Sequence, residues 1–338
     1  MTTMKIAVMM GGISPERNVS LNSGKAVFNA LKERGHDVTA HDPSRGAACM
    51  LDIDTLEIPS TPPTPEELAS FSTKKLLECA SSNCLDGVDV VFSVLHGFAG
   101  EDGMMQALLE ARGIKYTGSK VLASALAMDK VMSKIMLLAA GVPTPEWTTV
   151  RATHEITDDL LKEIRADFRL GMVVKPNDQG STVGMTIVKS GNLDDIENAI
   201  RLALQYSSVA LIENYIEGRE LTVAVLGSEA LPIVEIIPDG GFYDYEHKYT
   251  KGMSEYMCPA EMDEEVAAFV QQLAVTSHKV LGCSGYSRVD FRLDEENHPW
   301  CLEVNTLPGM TATSLVPKAA AAAGIEFADL CERIIELS

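Results

Sequence analysis

The sequence predicts an α/β protein of three units: a parallel α/β unit at the N-terminus and two α+β units after it. Three observations carry that reading. Lys5–Met9 is an apolar run that stops at Gly11-Gly12 and passes into helical periodicity, which is a strand–turn–helix opening. Asp89–Leu95 is apolar apart from Asp89 and Ser93, as suits a parallel strand buried on both faces, and it too runs into glycines, at Gly97 and Gly100. In the last third, Arg288-Val-Asp290-Phe-Arg292 and Leu302-Glu303-Val-Asn305 alternate polar with apolar residues on either side of a polar turn, Asp294–His298, which predicts an antiparallel hairpin.

Taken in order, the first helix is expected from about Ser20 to Arg34, ended by Gly35. Pro59, Pro62, Pro63 and Pro65 interrupt the pattern and read as an exposed loop or small insertion, to which no chemistry is assigned. A boundary is expected near residue 118. Ser119 to Ala140 has helical periodicity broken near Met128-Asp129-Lys130. The central unit then carries strands at Met172–Lys175, Gly184–Val188 and Ala210–Glu213, with a helix near Leu193–Gln205. The last unit has strands at Glu220–Val225 and Pro232–Ile237, a long loop from Asp239 to Glu255, a helix near Asp263–Leu281, the acidic hairpin and C-terminal helices. The units are therefore expected at 1–118, 119–213 and 214–338.

Composition narrows the function classes. With 338 residues, 46% hydrophobic and 22% charged, the chain has the make-up of a globular protein large enough for several cores. The first apolar run is broken by Gly11-Gly12 before it reaches the length of a signal or membrane helix, so a cytoplasmic protein without a membrane partner is expected. The 48 acidic residues against 28 basic ones, a formal charge of -20, oppose contact with a nucleic acid backbone. Seven cysteines without a CxxC pair argue for reduced thiols; Cys79 and Cys84 are conceivable ligands, but no histidine or cysteine cluster joins them in the sequence.

If the acidic hairpin pairs, Asp290, Glu303 and Asn305 share one face and offer two carboxylates and an amide oxygen, a donor set for a hard cation such as Mg²⁺. A solvated edge hairpin is the ordinary alternative. Lys175 through Gly184 joins two strands with glycine and hydroxyl residues at its tip, suited to phosphate oxygens, with Lys175 as a point charge; a plain Gly/Ser turn would look the same. Around Glu213, Asn214 and Ile216, a strand edge at a unit junction can read an adenine, and Glu220 can accept from ribose hydroxyls. Gly240 to Gly252 is aperiodic and glycine-bracketed, as a closing flap would be, with Lys248 and Tyr249 as its reactive members. Ser314 precedes a helix, where it could bind a carboxylate or simply cap.

Together these segments resemble the ATP-grasp ligases, and within them the D-alanine–D-alanine ligase family. The resemblance rests on Gly11-Gly12 with Glu16 and Val19-Ser20, His96-Gly97 through Gly103, Asp129-Lys130, Lys175 through Gly184, Tyr243 through Tyr249, Arg288-x-Asp290, and Glu303-Val-Asn305 through Thr311. It implies an ATP-grasp fold with a Rossmann-like first unit. ATP would lie between the second and third units, its phosphates held by Lys130, Lys175, Lys248 and the Gly180-Ser181-Thr182 loop, with two Mg²⁺ ions (Mn²⁺ as a substitute) on Asp290, Glu303 and Asn305. Glu16, Val19 and His96 would receive the first D-alanine, and Ser314 and Leu315 the carboxylate of the second. Arg288 and the Gly309 N–H would stabilise the oxyanion, and Glu16, Ser181 and Tyr249 would form a hydrogen-bonded triad. A homodimer is expected. A paralogue using D-serine or D-lactate, or a silent nucleotide-binding regulator, are the rival readings.

Overall fold

The computed structural model describes residues 2–238 and 254–338. The expected flap residues Lys248 and Tyr249 lie outside the described residues.

The N-terminal sheet has strands β1 (Lys5–Met9), β2 (Asp37–His41), β3 (Met50–Leu51) and β4 (Val90–Ser93) in the order β3-β2-β1-β4. β1 is parallel to both β2 and β4, as the apolar runs predict, and all of β4 is buried. Helix α1 (Arg17–Glu33) starts earlier than expected, because a turn closed by the Arg17 N–H donating to the Ser14 carbonyl leads directly into it. Glu16 thereby becomes the residue at the helix mouth. After the proline-rich stretch come two short helices, α2 (Pro65–Ser70) and α3 (Thr73–Ala80). Thr64 and Glu67 close a reciprocal capping box at the start of α2. Helix α4 (Met104–Ala111) follows the second glycine loop.

Helices α5 (Val121–Met128) and α6 (Lys130–Ala139) are separated at Asp129, which caps α6 by accepting from the Met132 N–H. The central sheet is antiparallel, built from β5 (Trp147–Arg151), β6 (Met172–Pro176), β7 (Thr186–Val188) and β8 (Val209–Asn214) in the order β5-β8-β6-β7, with α7 (Asp158–Asp167) and α8 (Leu193–Ala203). The sequence reading named neither β5 nor α7.

The third sheet comprises β9 (Arg219–Leu226), β10 (Glu229–Ala230), β11 (Val234–Pro238), β12 (Ser254–Met257), β13 (Tyr286–Leu293) and β14 (Pro299–Asn305), ordered β12-β11-β9-β13-β14 with β10 pairing β9. Helix α9 (Glu264–Val280) packs on it, and α10 (Leu315–Ala322) and α11 (Phe327–Glu336) complete the chain. No described helix is long and apolar enough to cross a membrane.

Packing redraws the expected units in two places. Ala127 and Leu137, from helices expected in the central unit, sit in the core of the third sheet with Val223, Val289 and Phe291. The C-terminal helices turn back to join the N-terminal core: α10 packs on β9 and β11 and α11 on α1, so that Val316, Leu330 and Ile334 share one core with Ile6, Val8, Val38 and Phe92. The expectation that no histidine or cysteine cluster forms is also corrected: His41, Cys49 and Cys84 converge although they are far apart in sequence.

Candidate active site

The acidic hairpin forms in the predicted sense. Arg288 pairs with Asn305 and Asp290 with Glu303 across β13 and β14, and a bulge follows Asp290. It is not a solvated edge decoration. Asp290 accepts from Thr222 Oγ1 (2.6 Å), from Arg288 Nε (2.8 Å) and Nη2 (2.7 Å), and from Asn305 Nδ2 (3.0 Å). Arg288 is thereby fixed by a bidentate pair that points its guanidinium along the sheet. The set fits the cation that the resemblance implies: two carboxylates directly opposed and an amide on the same face are hard oxygen donors, gathered where Lys130 and Arg288 offset their charge.

The break between α5 and α6 aims Lys130. Asn177, just past β6, donates Nδ2 to Asp129 (2.9 Å) and accepts from the Val131 N–H through its side chain (2.9 Å), while its carbonyl accepts from the Lys130 N–H (3.1 Å). The start of α6 is thus clamped to the glycine loop. Lys130 Nζ reaches the Gln179 carbonyl (2.7 Å) and Glu303 Oε2 (3.3 Å). Nearby, the buried Glu213 carboxylate lies between Lys175 Nζ (2.5 Å) and Lys134 Nζ (3.0 Å). Burial opposes the charge on Glu213, but the two ammonium groups outweigh it and hold the carboxyl below its ordinary range. Burial lowers Lys134 in turn, against the pull of Glu213. Lys134 also donates to Thr144 Oγ1 (2.7 Å) and the Pro145 carbonyl (2.9 Å).

At the other end of the loop, Ser181 donates its hydroxyl to Glu16, which joins the central unit to the mouth of α1. Glycine is needed on both sides of that carboxylate, because a Cβ at Gly97 or at Gly180 would come 3.1 Å from Glu16 Oε2. Ser181 and Thr182 both have left-handed backbones (φ 49° and 58°), and two consecutive residues of that kind mark a loop held by its surroundings. His96 is buried beside Glu16; burial lowers its pKa, and its Nε2 has no hydrogen-bond partner among the described residues. Glu101 accepts from the Gly97 N–H (2.7 Å) and the Leu307 N–H (3.2 Å), and burial, with the negative charge of Glu16, pushes it up to about 8. Ser314 is the residue before α10 but makes no side-chain cap; its hydroxyl accepts from the Thr311 N–H (3.0 Å) instead.

Two adjoining cavities collect these groups. One is lined by Lys130, Lys175, Gly180, Ser181, Thr182, Glu213, Asn214, Ile216, Glu220, Asp290 and Glu303, so every described residue expected to hold the nucleotide faces it. The other is lined by Glu16, Val19, His96, Arg288, Gly309, Ser314 and Leu315, the described residues expected around the amino acid substrates, and by Asn305, an expected cation ligand. Gly180, Ser181, Glu220, Asp290 and Glu303 line both. Glu220 also pairs with Arg292 (3.3 Å), and Ile216 offers its carbonyl to Arg292 Nε (3.2 Å), so the wall between the cavities is braced by β13.

Sequence reasoning missed several contributors. Lys134 stands one helical turn after Lys130, a spacing that could have pointed to it. Glu101 lies inside a quoted motif but was given no role. Asn18 donates to the carbonyls of Pro59 (3.0 Å) and Thr61 (2.6 Å), and Pro59, Ser60 and Pro62 form part of the second cavity's rim, so the stretch left without chemistry borders the site.

Known proteins show the same organisation. Family models described as D-ala D-ala ligase N-terminus and D-ala D-ala ligase C-terminus match residues 5–119 and 136–336. A D-alanine–D-alanine ligase of Gloeobacter violaceus is 44% identical over 337 residues, covering 99% of each chain. One from Magnetococcus marinus is 41% identical over 333 residues, covering 98% of this chain and 96% of its own. Among solved structures, the D-alanine–D-alanine ligase of Bacillus anthracis complexed with ATP aligns with a TM-score of 0.78 at 30% identity, covering 99% of this chain and 97% of that one. The VanG D-Ala:D-Ser ligase of Enterococcus faecalis gives 0.77 at 31% identity, covering 99% of each chain. With an ATP-grasp architecture, relatives more than 40% identical over nearly all of its length and two family models covering most of it, this chain belongs to the D-alanine–D-alanine ligase family.

Proposed function

We propose that the chain is an ATP-dependent ligase that joins two D-alanines through an acyl phosphate, giving D-alanyl-D-alanine, ADP and phosphate for peptidoglycan synthesis. The observation that carries this reading is the shared wall of the two cavities: a phosphate in one and a carboxylate in the other would meet over Gly180, Ser181, Asp290 and Glu303.

A carboxylate is a poor electrophile, and transfer of a phosphoryl group converts its oxygen into a leaving group. Lys130 and Lys175 offset phosphate charge in the nucleotide cavity, while Glu213 keeps Lys175 oriented. Asp290, Glu303 and Asn305 would hold Mg²⁺, which supplies charge neutralisation at the transferring phosphoryl oxygens when bound. Glu16, fixed by Ser181, receives the ammonium of the first D-alanine, and His96 Nε2 is a buried polar atom that its carboxylate would satisfy. Arg288, held straight by Asp290, and the Gly309 N–H stabilise the oxyanion that forms when the second amine attacks. Ser314 and Leu315 receive the second carboxylate. Lys248 would offset phosphate charge and Tyr249 would act on the acceptor, as the resemblance implies. The active form is a homodimer, which light scattering on the purified protein tests.

The deciding experiment is phosphate release from ATP and Mg²⁺ with D-alanine alone, with L-alanine alone, and with D-alanine plus D-serine or D-lactate, the products identified by mass. Release with D-alanine alone and a dialanine product is expected. Release only with a mixed pair would move the assignment to a paralogue of the kind that the D-Ala:D-Ser ligase neighbour represents. Asp290→Ala and Glu303→Ala should each lower turnover by on the order of 10²–10³-fold with an unchanged circular dichroism spectrum; near-normal turnover in either would remove that residue from the cation site.

A further inference from the structure

We propose that His41, Cys49, Cys79 and Cys84 form a structural zinc site at the base of the segment that borders the substrate cavity. His41 ends β2, Cys49 follows the turn Pro43–Ala48, Cys79 lies in the last turn of α3, and Cys84 lies in the turn Asn83–Leu85. The ligand atoms of His41, Cys49 and Cys84 all lie within 4.8 Å of one another. Cys49 Sγ is 3.6 Å from His41 Nδ1 and 2.7 Å from Cys84 Sγ, and the buried Cys79 thiol adjoins that of Cys49.

The chemistry of the set selects the ion. Three thiols and an imidazole are the donors of a closed tetrahedral zinc site, in which bond lengths of about 2.3 Å to sulfur and 2.0–2.1 Å to nitrogen separate a sulfur and a nitrogen by roughly 3.5 Å and two sulfurs by roughly 3.7 Å. The His41–Cys49 separation matches, and Cys84 reaches its place by moving about 1 Å away from Cys49. The imidazole is already oriented: Nε2 lies 2.8 Å from Thr39 Oγ1, and a hydrogen donated there leaves the Nδ1 lone pair facing the sulfurs. Outer hydrogen bonds of this kind accompany metal-binding histidines. His41, Cys49 and Cys79 are fully buried and Cys84 is half-buried, and four protein ligands fill a tetrahedral shell, as in a structural rather than a catalytic site. A disulfide between Cys49 and Cys84 would use only two of the four groups and leave a buried thiol and an oriented imidazole without a purpose.

The location gives the ion work to do. The chain between His41 and Cys84 makes the excursion that carries Pro59 and Thr61 to Asn18 and places Pro59, Ser60 and Pro62 on the cavity rim. Its two ends are tied at the cluster. The site is independent of the ligase reading, because it holds no cavity residue.

The test is metal content and cobalt spectroscopy on the full-length protein. Protein purified without chelator should contain one zinc per chain. After removal of zinc under a thiol reductant, titration with Co²⁺ alone should give the visible bands and sulfur-to-metal charge transfer of a tetrahedral thiolate site, saturating at one equivalent. Cys49→Ser and Cys84→Ser should each lower zinc occupancy at least about tenfold, while Cys283→Ser keeps it. The cobalt titration of the unaltered chain stands even if those variants fold poorly. A metal-free protein with a featureless cobalt spectrum would overturn the proposal, as would a Cys49–Cys84 disulfide in the unreduced peptide map.

Discussion

Glu213 and Glu101 are two buried carboxyls with opposite fates, and the difference lies in their neighbours. Glu213 has two ammonium partners and stays charged. Removing one leaves an unbalanced buried group, so Lys134→Ala should cost about 3–5 kcal/mol in urea unfolding and raise the KM for ATP through a mispositioned Lys175. Stability within about 0.5 kcal/mol of the parent would show that Lys175 suffices. Glu101 has backbone N–H donors but faces another carboxylate, and its pKa rises to about 8. In the unfolded chain it ionises near about 4.3, so the folded protein binds the extra proton between those values and stability falls as pH rises from about 4 to 8. Glu101→Gln fixes the neutral form. Its Tm should decline less than the parent's over that window; parallel curves would mean that Glu101 is already ionised at neutral pH.

The start of α6 shows what an element contributes beyond its residues. Lys130 is aimed by a helix cap that Asn177, just past β6, supports. Asn177→Ala removes two side-chain hydrogen bonds and should lower stability by about 1–3 kcal/mol and kcat/KM for ATP by about 10–100-fold, whereas a loss of stability alone would make Asn177 merely structural. The break at Asp129 was legible because an aspartate before a helical run is a cap signal. Its partnership with Asn177 was not, since strand β6 brings the two together from distant positions. The same limit hid the cluster at His41: Cys79 and Cys84 are near each other in sequence, but His41 and Cys49 lie far from them, and only the seating of α3 beside the turn Pro43–Ala48 assembles the four. The acidic hairpin was fully legible, because period-2 alternation gives face and partner at once. β5 escaped notice for the converse reason, a half-exposed strand of mixed polarity with no clean alternation. The amphipathic helix α7 carried its own signal, a Thr157 cap followed by two aspartates, and was simply not read.

At the scale of the molecule, the unit boundaries drawn from sequence follow chain order, whereas the cores do not. α5 and α6 belong with the third sheet, while α10 and α11 join a core shared by the first sheet, α1 and strands β9 and β11. Periodicity reports that a helix has an apolar face and is silent about which sheet receives it. Ile334→Ala, far from both cavities in sequence, should therefore destabilise the N-terminal unit by about 2–5 kcal/mol, visible as earlier loss of hydrogen-exchange protection in β1 and β4; loss confined to α11 would mean that the shared core is not cooperative. The returning helices also impose an order on biosynthesis. The first sheet and α1 leave the ribosome before α11, and at roughly 5–20 residues per second that helix reaches α1 tens of seconds later. For that interval the side of α1 that meets α11 is exposed in the nascent chain, which makes this segment the natural point of engagement for a holding chaperone and the place where a premature stop near the C-terminus would do its damage.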